Sequence, residues 1–216
     1  MNDLLISLDY SFKNEDLIQL ALTHKSLAKN NNERLEFLGD AILNLYVSER
    51  LFNTYDDLKE GKLTQFKASI VSRENLHTVA SKISLAKYIK IGKGERLEGN
   101  SIVGNVLEAV IGAIFLDSSY SETKTVLDKL FIDDFIRLDE EKELKDSKSI
   151  LQELIQKQYK SLPRYSVNQE SSNKQNNYFE VSCFVDEENL TAQGTGKTIK
   201  RAELNAASNM LELVKV

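Results

Sequence analysis

Apolar residues recur at helical spacing through most of the first 135 residues of the chain. Leu63, Phe66 and Ile70, for example, are three and four residues apart, a spacing that places apolar side chains on one face of a helix. Ser121, which precedes a Glu-Thr-Lys sequence, is the expected N-cap of the last helix in this part. The pattern predicts helices over residues 15–22, 32–55, 62–72, 74–83, 85–88, 103–118 and 121–135.

The pattern changes at Lys148. An amphipathic helix is expected over residues 149–159, and Pro163, the one proline of the chain, closes it. An alanine-rich helix is expected over residues 197–213. Between the two helices, apolar and polar residues alternate as they do in strands, over residues 164–169, 178–185 and 190–195, with a polar tract over 171–177.

Residues 138–147 separate the two patterns and are mostly Asp, Glu and Lys, with no periodic apolar face. A linker is expected here, and a solvated extension of a helix is the alternative. The chain is long enough for two small domains. We therefore expect a multi-domain protein with an all-α domain over residues 1–136, a linker over 137–147, and an α+β domain of order α-β-β-β-α over 148–216.

The composition is typical of a soluble globular protein, with 41% hydrophobic and 28% charged residues among 216. No apolar run is long enough for a membrane span, and the N-terminal residues do not have the pattern of a secretory signal. Cys183 is the only cysteine, so an intramolecular disulfide is impossible and a reducing cytoplasm is the expected location. Cys183 is expected to pack on a strand, and with only two histidines a zinc site is not expected.

The net charge of −5 by itself argues against a nucleic-acid partner, but the charge is unevenly distributed. From Asp146 onward nine Lys and Arg residues balance nine Asp and Glu residues, whereas the first 145 residues hold 19 basic and 24 acidic residues. This distribution suits an acidic metal site in the first part and a binding module in the second.

Three acidic residues share one face of the helix expected over residues 32–55. Glu33, Glu36 and Asp40 lie at positions i, i+3 and i+7, and such carboxylates repel unless a cation lies over them. Mg²⁺, which prefers oxygen ligands, is the natural candidate; a solvated acidic face is the alternative. Gly39 costs roughly 1 kcal/mol in a helix relative to alanine, which suggests that another backbone or a substrate approaches it closely.

A second polar pair, Asn105 and Glu108, lies three residues apart on another predicted helix, so the two side chains project together. Taken alone, Glu108 would more often be a paired or capping carboxylate. Together with Glu36 and Asp40, however, the pair can converge from a second helix on one cation.

Glu33 to Leu43 resembles the signature of the ribonuclease III family almost residue for residue, and the resemblance extends over nearly the whole chain. In that family the second motif supplies an Asp and a Glu to a metal site. Here Glu108 matches the Glu, while Asn105 stands at the Asp position, a change that should weaken metal binding. The resemblance implies metal ligation by Glu36, Asp40, Asn105 and Glu108, with Asp40 and Glu108 as catalytic residues.

Further family positions are matched by Glu33 and Glu60, for which the resemblance implies supporting roles near the site or at a dimer interface. Glu60 has a simple alternative as part of a turn before a helix. Lys67 matches a basic family position and could meet phosphate, or it is a solvated helix lysine. His24 also falls in a stretch typical of the family, where packing or hydrogen bonding is the expected role.

Residues 148–216 resemble a double-stranded RNA-binding domain, most clearly in the run from Gly194 to Glu203. The resemblance implies that Lys197, Lys200 and Arg201 contact phosphates from a helix N-terminus and that Gln152 and Glu153 contact a minor groove. The tract over residues 171–177 would enter another minor groove. Two departures predict weaker binding: Ile199 stands where the family often has Lys or Arg, and the first inter-strand loop lacks the usual Gly-Pro and His.

The family resemblance implies a Mg²⁺-dependent endoribonuclease, in which Mn²⁺ can substitute. It would act as a homodimer that cleaves both strands of double-stranded RNA and leaves 5′-phosphates and short 3′ overhangs. Structured ribosomal and messenger precursors are the implied substrates, and no membrane or nucleotide cofactor is expected. The alternative is a duplex-RNA-binding protein that cleaves poorly because of Asn105. A third possibility, a phosphohydrolase acting on nucleotides, leaves the C-terminal module unexplained.

Overall fold

The computed structural model describes residues 1–97, 100–173 and 176–214. The chain divides into two compact units, Met1–Phe135 and Ile136–Val216. The first unit is helical, and the second combines a three-stranded antiparallel sheet with helices. The predicted fold class, an all-α part followed by an α+β part, is therefore confirmed. Within the described ranges, no helix has both the length and the apolar character needed to span a membrane.

The helices of the first unit follow the predicted apolar periodicity, with ends that shift by up to three residues, and a short 3-10 helix lies at Leu85–Tyr88. A first helix with buried Leu4 and Leu8 was not predicted. The observed helices are α1 (Asn2–Leu8), α2 (Glu15–Ala21), α3 (Glu33–Thr54), α4 (Glu60–Ile70), α5 (Arg73–Lys82), α6 (Asn100–Asp117), α7 (Tyr120–Leu130) and α8 (Ile132–Tyr159).

The single helix predicted over residues 121–135 was wrong, because the chain breaks there into α7 and α8 around Phe131. Phe131 is buried and follows α7 as its C-terminal cap residue. The N-cap of α7 is Ser119, whose side chain accepts a hydrogen bond from the N–H of Glu122, and not Ser121 as predicted. Ser119 has the extended backbone that an N-cap requires, whereas Ser121 already lies inside the helix.

The centre of the first unit is the packing of α3 against α6. Val106, Leu107, Val110 and Ile111 of α6 are all fully buried, so this helix is apolar on nearly every side. Two glycines allow the backbones to approach. A Cβ on Gly39 would overlap the carbonyl group of Glu108, and a Cβ on Gly112 would overlap that of Leu35. The close approach predicted at Gly39 is therefore made by the backbone of α6.

The segment that follows α2 is fixed to a distant part of the chain. Thr23 forms a parallel β-bridge with Lys90, the N–H of His24 donates to the Lys90 carbonyl at 2.9 Å, and the N–H of Lys90 donates to the Leu22 carbonyl at 2.8 Å. Gly92 follows so closely that a Cβ there would overlap the Ser26 carbonyl. The Gly-rich sequence of residues 92–99 predicts a flexible loop, of which residues 98 and 99 lie outside the described ranges.

The second unit has the predicted order of helix, three strands and helix. Strands β1 (Arg164–Asn173), β2 (Asn176–Val185) and β3 (Leu190–Gly196) form a sheet in that order, and α9 (Ile199–Val214) covers it. Cys183 on β2 is fully buried in the core, as predicted. Residues 174 and 175 of the predicted polar tract lie outside the described ranges.

Residues 137–147, expected to be a linker, lie inside α8. The alternative of a helix extension is therefore the observed one for this segment. A charged segment without an apolar stripe can continue a helix when both its neighbours are helical and its own residues have good helix propensity, as Glu and Lys do. The domain boundaries predicted from the sequence remain a prediction.

Candidate active site

A cleft of about 340 Å³ opens beside the crossing of α3 and α6. It brings together both acidic motifs predicted from the sequence, together with residues of the segment before α3. The lining residues are His24, Lys25, Asn32, Glu33, Glu36, Phe37, Asp40, Asn105 and Glu108.

The two helices contribute oxygen-bearing side chains to the cleft for reasons visible in the sequence. Glu36 and Asp40 lie one turn apart on α3, and Asn105 and Glu108 lie three residues apart on α6, so each pair projects from one helix face. The close approach at Gly39 sets the two pairs beside each other. The four side chains that were predicted to converge on one cation therefore line the same cleft.

The acidic side chains in the cleft are partly dehydrated and repel one another. Burial, followed by repulsion from Asp40 and Glu36, raises the pKa of Glu108 to about 7 from an ordinary value of 4.5, with Arg73 opposing the rise. The pKa of Glu36 is also raised, mainly by burial, and Lys25 opposes that rise. A cation in the cleft would relieve this repulsion.

The donor set fits a hard divalent cation, because every candidate ligand offers oxygen: three carboxylates and the amide of Asn105. The carboxylate of Asp40 is held by Asn44, whose Nδ2 donates to its Oδ1 at 2.8 Å. In the described part of the chain, no three His, Cys, Asp or Glu side chains are gathered closely enough to hold a metal ion by themselves. The acids therefore line one cleft without forming a closed ligand set.

The two acids predicted to have supporting roles lie in different places. Glu33 lines the cleft and forms an ion pair with Lys25, whose Nζ lies 3.1 Å from its Oε1. Glu60 is the first residue of α4, where its Oε1 accepts a hydrogen bond from Thr64 at 2.8 Å. Neither Glu60 nor Lys67 is among the residues that line the cleft.

His24, Lys25 and Asn32 line the cleft although none was predicted to belong to the site. Their position depends on the pairing of residues 22–24 with Lys90, a contact between residues far apart in sequence that leaves no periodic signal. The one signal in the sequence was that Asn32 immediately precedes Glu33, the first residue of the acidic helix. His24 does form the hydrogen bonds expected of it, to the N–H and hydroxyl of Ser26.

The basic residues predicted to contact RNA lie at the start of α9. Lys197 and Lys200 are exposed and Arg201 is half-buried. The Thr198 hydroxyl accepts a hydrogen bond from the N–H of Arg201 at 3.2 Å, which caps the helix. The neighbouring Gly196 packs so closely on this turn that a Cβ there would lie 2.6 Å from the N–H nitrogen of Ala202. A helix N-terminus with three cationic side chains is suited to phosphate.

The other two residues predicted to contact RNA, Gln152 and Glu153, are exposed on α8. They line an open groove of about 530 Å³, whose other lining residues are Ser149, Gln156, Lys157, Lys160 and Leu162. The groove offers amide, hydroxyl and ammonium groups, which match the hydroxyl and phosphate groups along a nucleic-acid minor groove.

Comparison with known proteins decides the family. A family model described as Ribonuclease-III-like matches residues 14–135, and one described as a double-stranded RNA binding motif matches residues 147–214. The chain belongs to the ribonuclease III family. It is an endoribonuclease with a double-stranded RNA-binding motif, as predicted. Ribonuclease III enzymes are generally metal-dependent, which agrees with the oxygen-lined cleft between α3 and α6.

Similar proteins cover nearly the whole chain. A Ribonuclease 3 of Magnetococcus marinus is 40% identical over 96% of this chain and 90% of its own length. A Ribonuclease 3 of Delftia acidovorans is 38% identical over 100% of this chain and 96% of its own length. Among solved structures, the nuclease domain of ribonuclease III from Campylobacter jejuni matches with a TM-score of 0.59 and 40% identity, covering 62% of this chain and 96% of that one.

Proposed function

We propose that this ribonuclease III is a Mg²⁺-dependent endonuclease that hydrolyses both strands of double-stranded RNA at the cleft between α3 and α6. The observation that carries the proposal is the cleft itself, where Glu36, Asp40, Asn105 and Glu108 meet from two helices. The same chain contains a duplex-RNA-binding motif, which would deliver the substrate.

The residues that would hold the metal are Glu36, Asp40, Asn105 and Glu108, and Mn²⁺ would be an acceptable substitute because it prefers the same oxygen ligands. When bound, Mg²⁺ lowers the pKa of water and offsets the charge that develops on phosphoryl oxygens. Asn44 fixes the orientation of the Asp40 carboxylate. Gly39 fixes the position of Glu108 through the backbone. Asp40 and Glu108 are therefore the proposed catalytic residues.

We further propose a homodimer formed through the exposed apolar face of α3. Phe37, Leu45 and Phe52 are 80%, 56% and 73% exposed, which is unusual for large apolar side chains on one helix. The structure of the Campylobacter jejuni nuclease domain is described as showing flexibility in a region involved in dimer formation. Gly39 is buried against α6 and would take no part in this interface.

The expected products are RNAs with 5′-phosphates and short 3′ overhangs, and the expected substrates are structured precursors of ribosomal, messenger and transfer RNA in the cytoplasm. Lys197, Lys200 and Arg201 would contact phosphates, while Gln152 and Glu153 would contact a minor groove. Three basic residues gathered at the start of α9, in a region with no net charge from Asp146 onward, support this division of roles. Glu33 and Glu60 keep the supporting roles proposed for them, and no nucleotide cofactor is needed for hydrolysis.

A direct test uses a perfect RNA duplex of about two helical turns and a single-stranded RNA of the same sequence. The duplex should be cut on both strands with Mg²⁺ or Mn²⁺ and left intact in EDTA, while the single strand should resist. A terminal phosphatase followed by a kinase would identify the 5′-phosphate. Binding of the duplex with no cutting at any Mg²⁺ concentration would favour the alternative, a binding protein whose metal site is weakened by Asn105.

A further inference from the structure

Two chemically different sets of side chains line the cleft, an acidic wall of metal ligands and a donor wall. Glu36, Asp40, Asn105 and Glu108 offer oxygen ligands, whereas His24, Lys25 and Asn32 offer N–H groups. Metal ligation accounts for the first wall only. A phosphate oxygen, by contrast, needs both a cation and hydrogen-bond donors, because several lone pairs on each non-bridging oxygen must be satisfied.

Hydrogen bonds fix the proton of the His24 ring. The N–H of Gly92 donates to the Ser26 hydroxyl oxygen at 3.0 Å, which leaves that hydroxyl free to donate to His24 Nδ1 at 2.8 Å. The backbone N–H of Ser26 also donates to Nδ1, at 3.3 Å. Because Nδ1 accepts both bonds, the neutral ring carries its proton on Nε2. No partner for Nε2 exists in the described part of the chain, so His24 keeps a free donor.

Asn32 is the more unusual member of the donor wall. The residue is only 1% exposed, and its buried Nδ2 makes no hydrogen bond within the described residues. Asn32 is the N-cap residue of α3, yet its side chain makes no capping bond. The backbone is fully engaged, since its N–H donates to the Thr23 carbonyl and its carbonyl accepts from the N–H of Glu36, both at 2.9 Å.

A buried donor without a partner lowers the stability of the folded protein, because folding strips it of water without replacing the bond. Such a cost is expected where the donor serves a ligand. Asn32 is among the lining residues of the cleft, so its buried, unpartnered Nδ2 lies near the space that a bound group would fill. Lys25, the third donor, already has an ion pair with Glu33 and adds positive charge to the same wall.

We propose that Asn32 Nδ2 and His24 Nε2 donate hydrogen bonds to the non-bridging oxygens of the phosphate that is cleaved, an inference that rests on the proposed function. The Asn32 amide is an uncharged donor, so it adds no positive charge beside the cation. Asn32 precedes Glu36 by one helical turn, so its donor and the metal ligands of α3 would face the same phosphate. Gly92 and Ser26 are positioning residues in this arrangement, because they act through the His24 ring.

The neighbouring pair Asn31 and Asn32 provides a matched test. Asn31 Oδ1 accepts a hydrogen bond from the N–H of Glu33 at 2.9 Å, and Asn31 does not line the cleft. Single-turnover cleavage, duplex affinity in EDTA and thermal stability are measured for wild type, Asn31→Ala and Asn32→Ala. We expect Asn32→Ala to slow cleavage roughly ten- to a hundredfold, the worth of a hydrogen bond to a charged group. Its melting temperature should be unchanged or higher, and its duplex affinity in EDTA should be unchanged.

The control should behave in the opposite way. Asn31→Ala should melt at a lower temperature, because a helix-capping bond is lost, and should cleave at the wild-type rate. If Asn32→Ala melts below Asn31→Ala and cleaves normally, Asn32 has a structural role and the inference is wrong. If the wild type itself does not cleave under any divalent cation, the proposed function is what fails.

A phosphorothioate at the cleaved position tests for direct contact. Sulfur is a poor hydrogen-bond acceptor, so replacing the contacted non-bridging oxygen should slow the wild type more than it slows Asn32→Ala. The effect of sulfur on the metal is the same in both proteins, so it cancels when the slowing of the wild type is compared with the slowing of the variant. We expect the slowing in the variant to be smaller by at least about threefold, with the same trend for His24→Ala. Equal slowing in all three proteins for both phosphorothioate stereoisomers would overturn the inference.

Discussion

The backbone carbonyl of Glu108 lies against the Cα of Gly39, with no space for a side chain between them. A Cβ on Gly39 would lie 2.6 Å from the carbonyl carbon of Glu108 and would overlap its oxygen. This contact brings the acidic turn of α3 beside the one turn of α6 that bears Asn105 and Glu108. The geometry of the cleft therefore depends on a residue that has no functional group.

Gly39→Ala should damage both stability and activity. The added methyl group forces the two backbones apart, and overpacking of this kind costs about 1–3 kcal/mol or more. Gly61→Ala is the matched control, because nothing lies within 4 Å of a Cβ there and alanine favours the helix by up to about 1 kcal/mol. Denaturant titrations of the two variants measure the difference. A Gly39→Ala protein as stable and as active as Gly61→Ala would show that the close approach is not required.

Asn105→Asp should tighten metal binding. The substitution adds a fourth carboxylate to the oxygen ligands of the cleft, and the affinity of such sites for hard cations rises with ligand charge. We expect the Mg²⁺ concentration for half-maximal cleavage to fall roughly tenfold. Asn31→Asp adds the same charge outside the cleft and should leave the Mg²⁺ requirement within about twofold of wild type. An equal response of both variants would mean that net charge, and not ligation, sets the requirement.

Glu108→Gln should stabilise the metal-free protein at pH 8. The pKa of Glu108 is about 7 in the folded protein and near 4.5 in the unfolded chain. At a pH between these two values, the folded chain therefore binds more protons than the unfolded chain does. The stability that this carboxyl contributes is thus present below about pH 4.5 and is lost as the pH rises through 7. Removing it should raise the free energy of unfolding at pH 8 by on the order of 1 kcal/mol, after allowance for partial solvent exposure, and by less at pH 5.

Glu49→Gln is the control of opposite sign for that measurement. A hydrogen bond from Tyr120 lowers the pKa of Glu49, so this carboxylate adds stability above its unfolded pKa and loses it as the pH falls. Urea titrations in EDTA at pH 5 and pH 8 should therefore show Glu49→Gln losing stability at pH 8, where Glu108→Gln gains it. A loss of stability at pH 8 in both variants would mean that the Glu108 carboxylate is not under electrostatic strain.

Ile199→Lys should strengthen duplex-RNA binding and its salt dependence. Ile199 is 40% exposed at the basic start of α9, where one more cation would neutralise about one more phosphate. The slope of log affinity against log salt should become steeper by about one. Leu213→Lys is a fair control, because Leu213 is 48% exposed at the far end of the same helix. If Leu213→Lys has the same effect, the RNA does not contact the start of α9 specifically.

The sequence predicted the parts of the fold that depend on local periodicity. The acidic pair on α3 and the polar pair on α6 could be placed on helix faces because residues three or four apart project together. Gly39 was expected to mark a close approach, and it does, against the Glu108 backbone. The buried strand position of Cys183 follows from the alternation of β2 in the same way.

What the sequence did not predict depends on distant contacts or on competing local signals. The donor wall of the cleft exists because Lys90 pairs with residues 22–24, a contact across some 70 positions of the chain that has no local pattern. The break between α7 and α8 is set by the burial of Phe131, since its neighbours alone would continue a helix. Residues 137–147 lacked an apolar stripe, yet they are helical.

Cleavage and binding of one RNA duplex by Glu108→Gln and Asp40→Asn test most directly whether the cleft between α3 and α6 is the site of hydrolysis. Both substitutions keep the shape of the side chain and remove one negative charge from the cleft. We expect single-turnover cleavage in Mg²⁺ to fall roughly a hundredfold or more in each variant, because a charged metal ligand is replaced by a neutral one. Duplex affinity in EDTA should stay within about twofold of wild type, because the binding motif is untouched. Wild-type cleavage rates in both variants would contradict the assignment of the cleft as the active site.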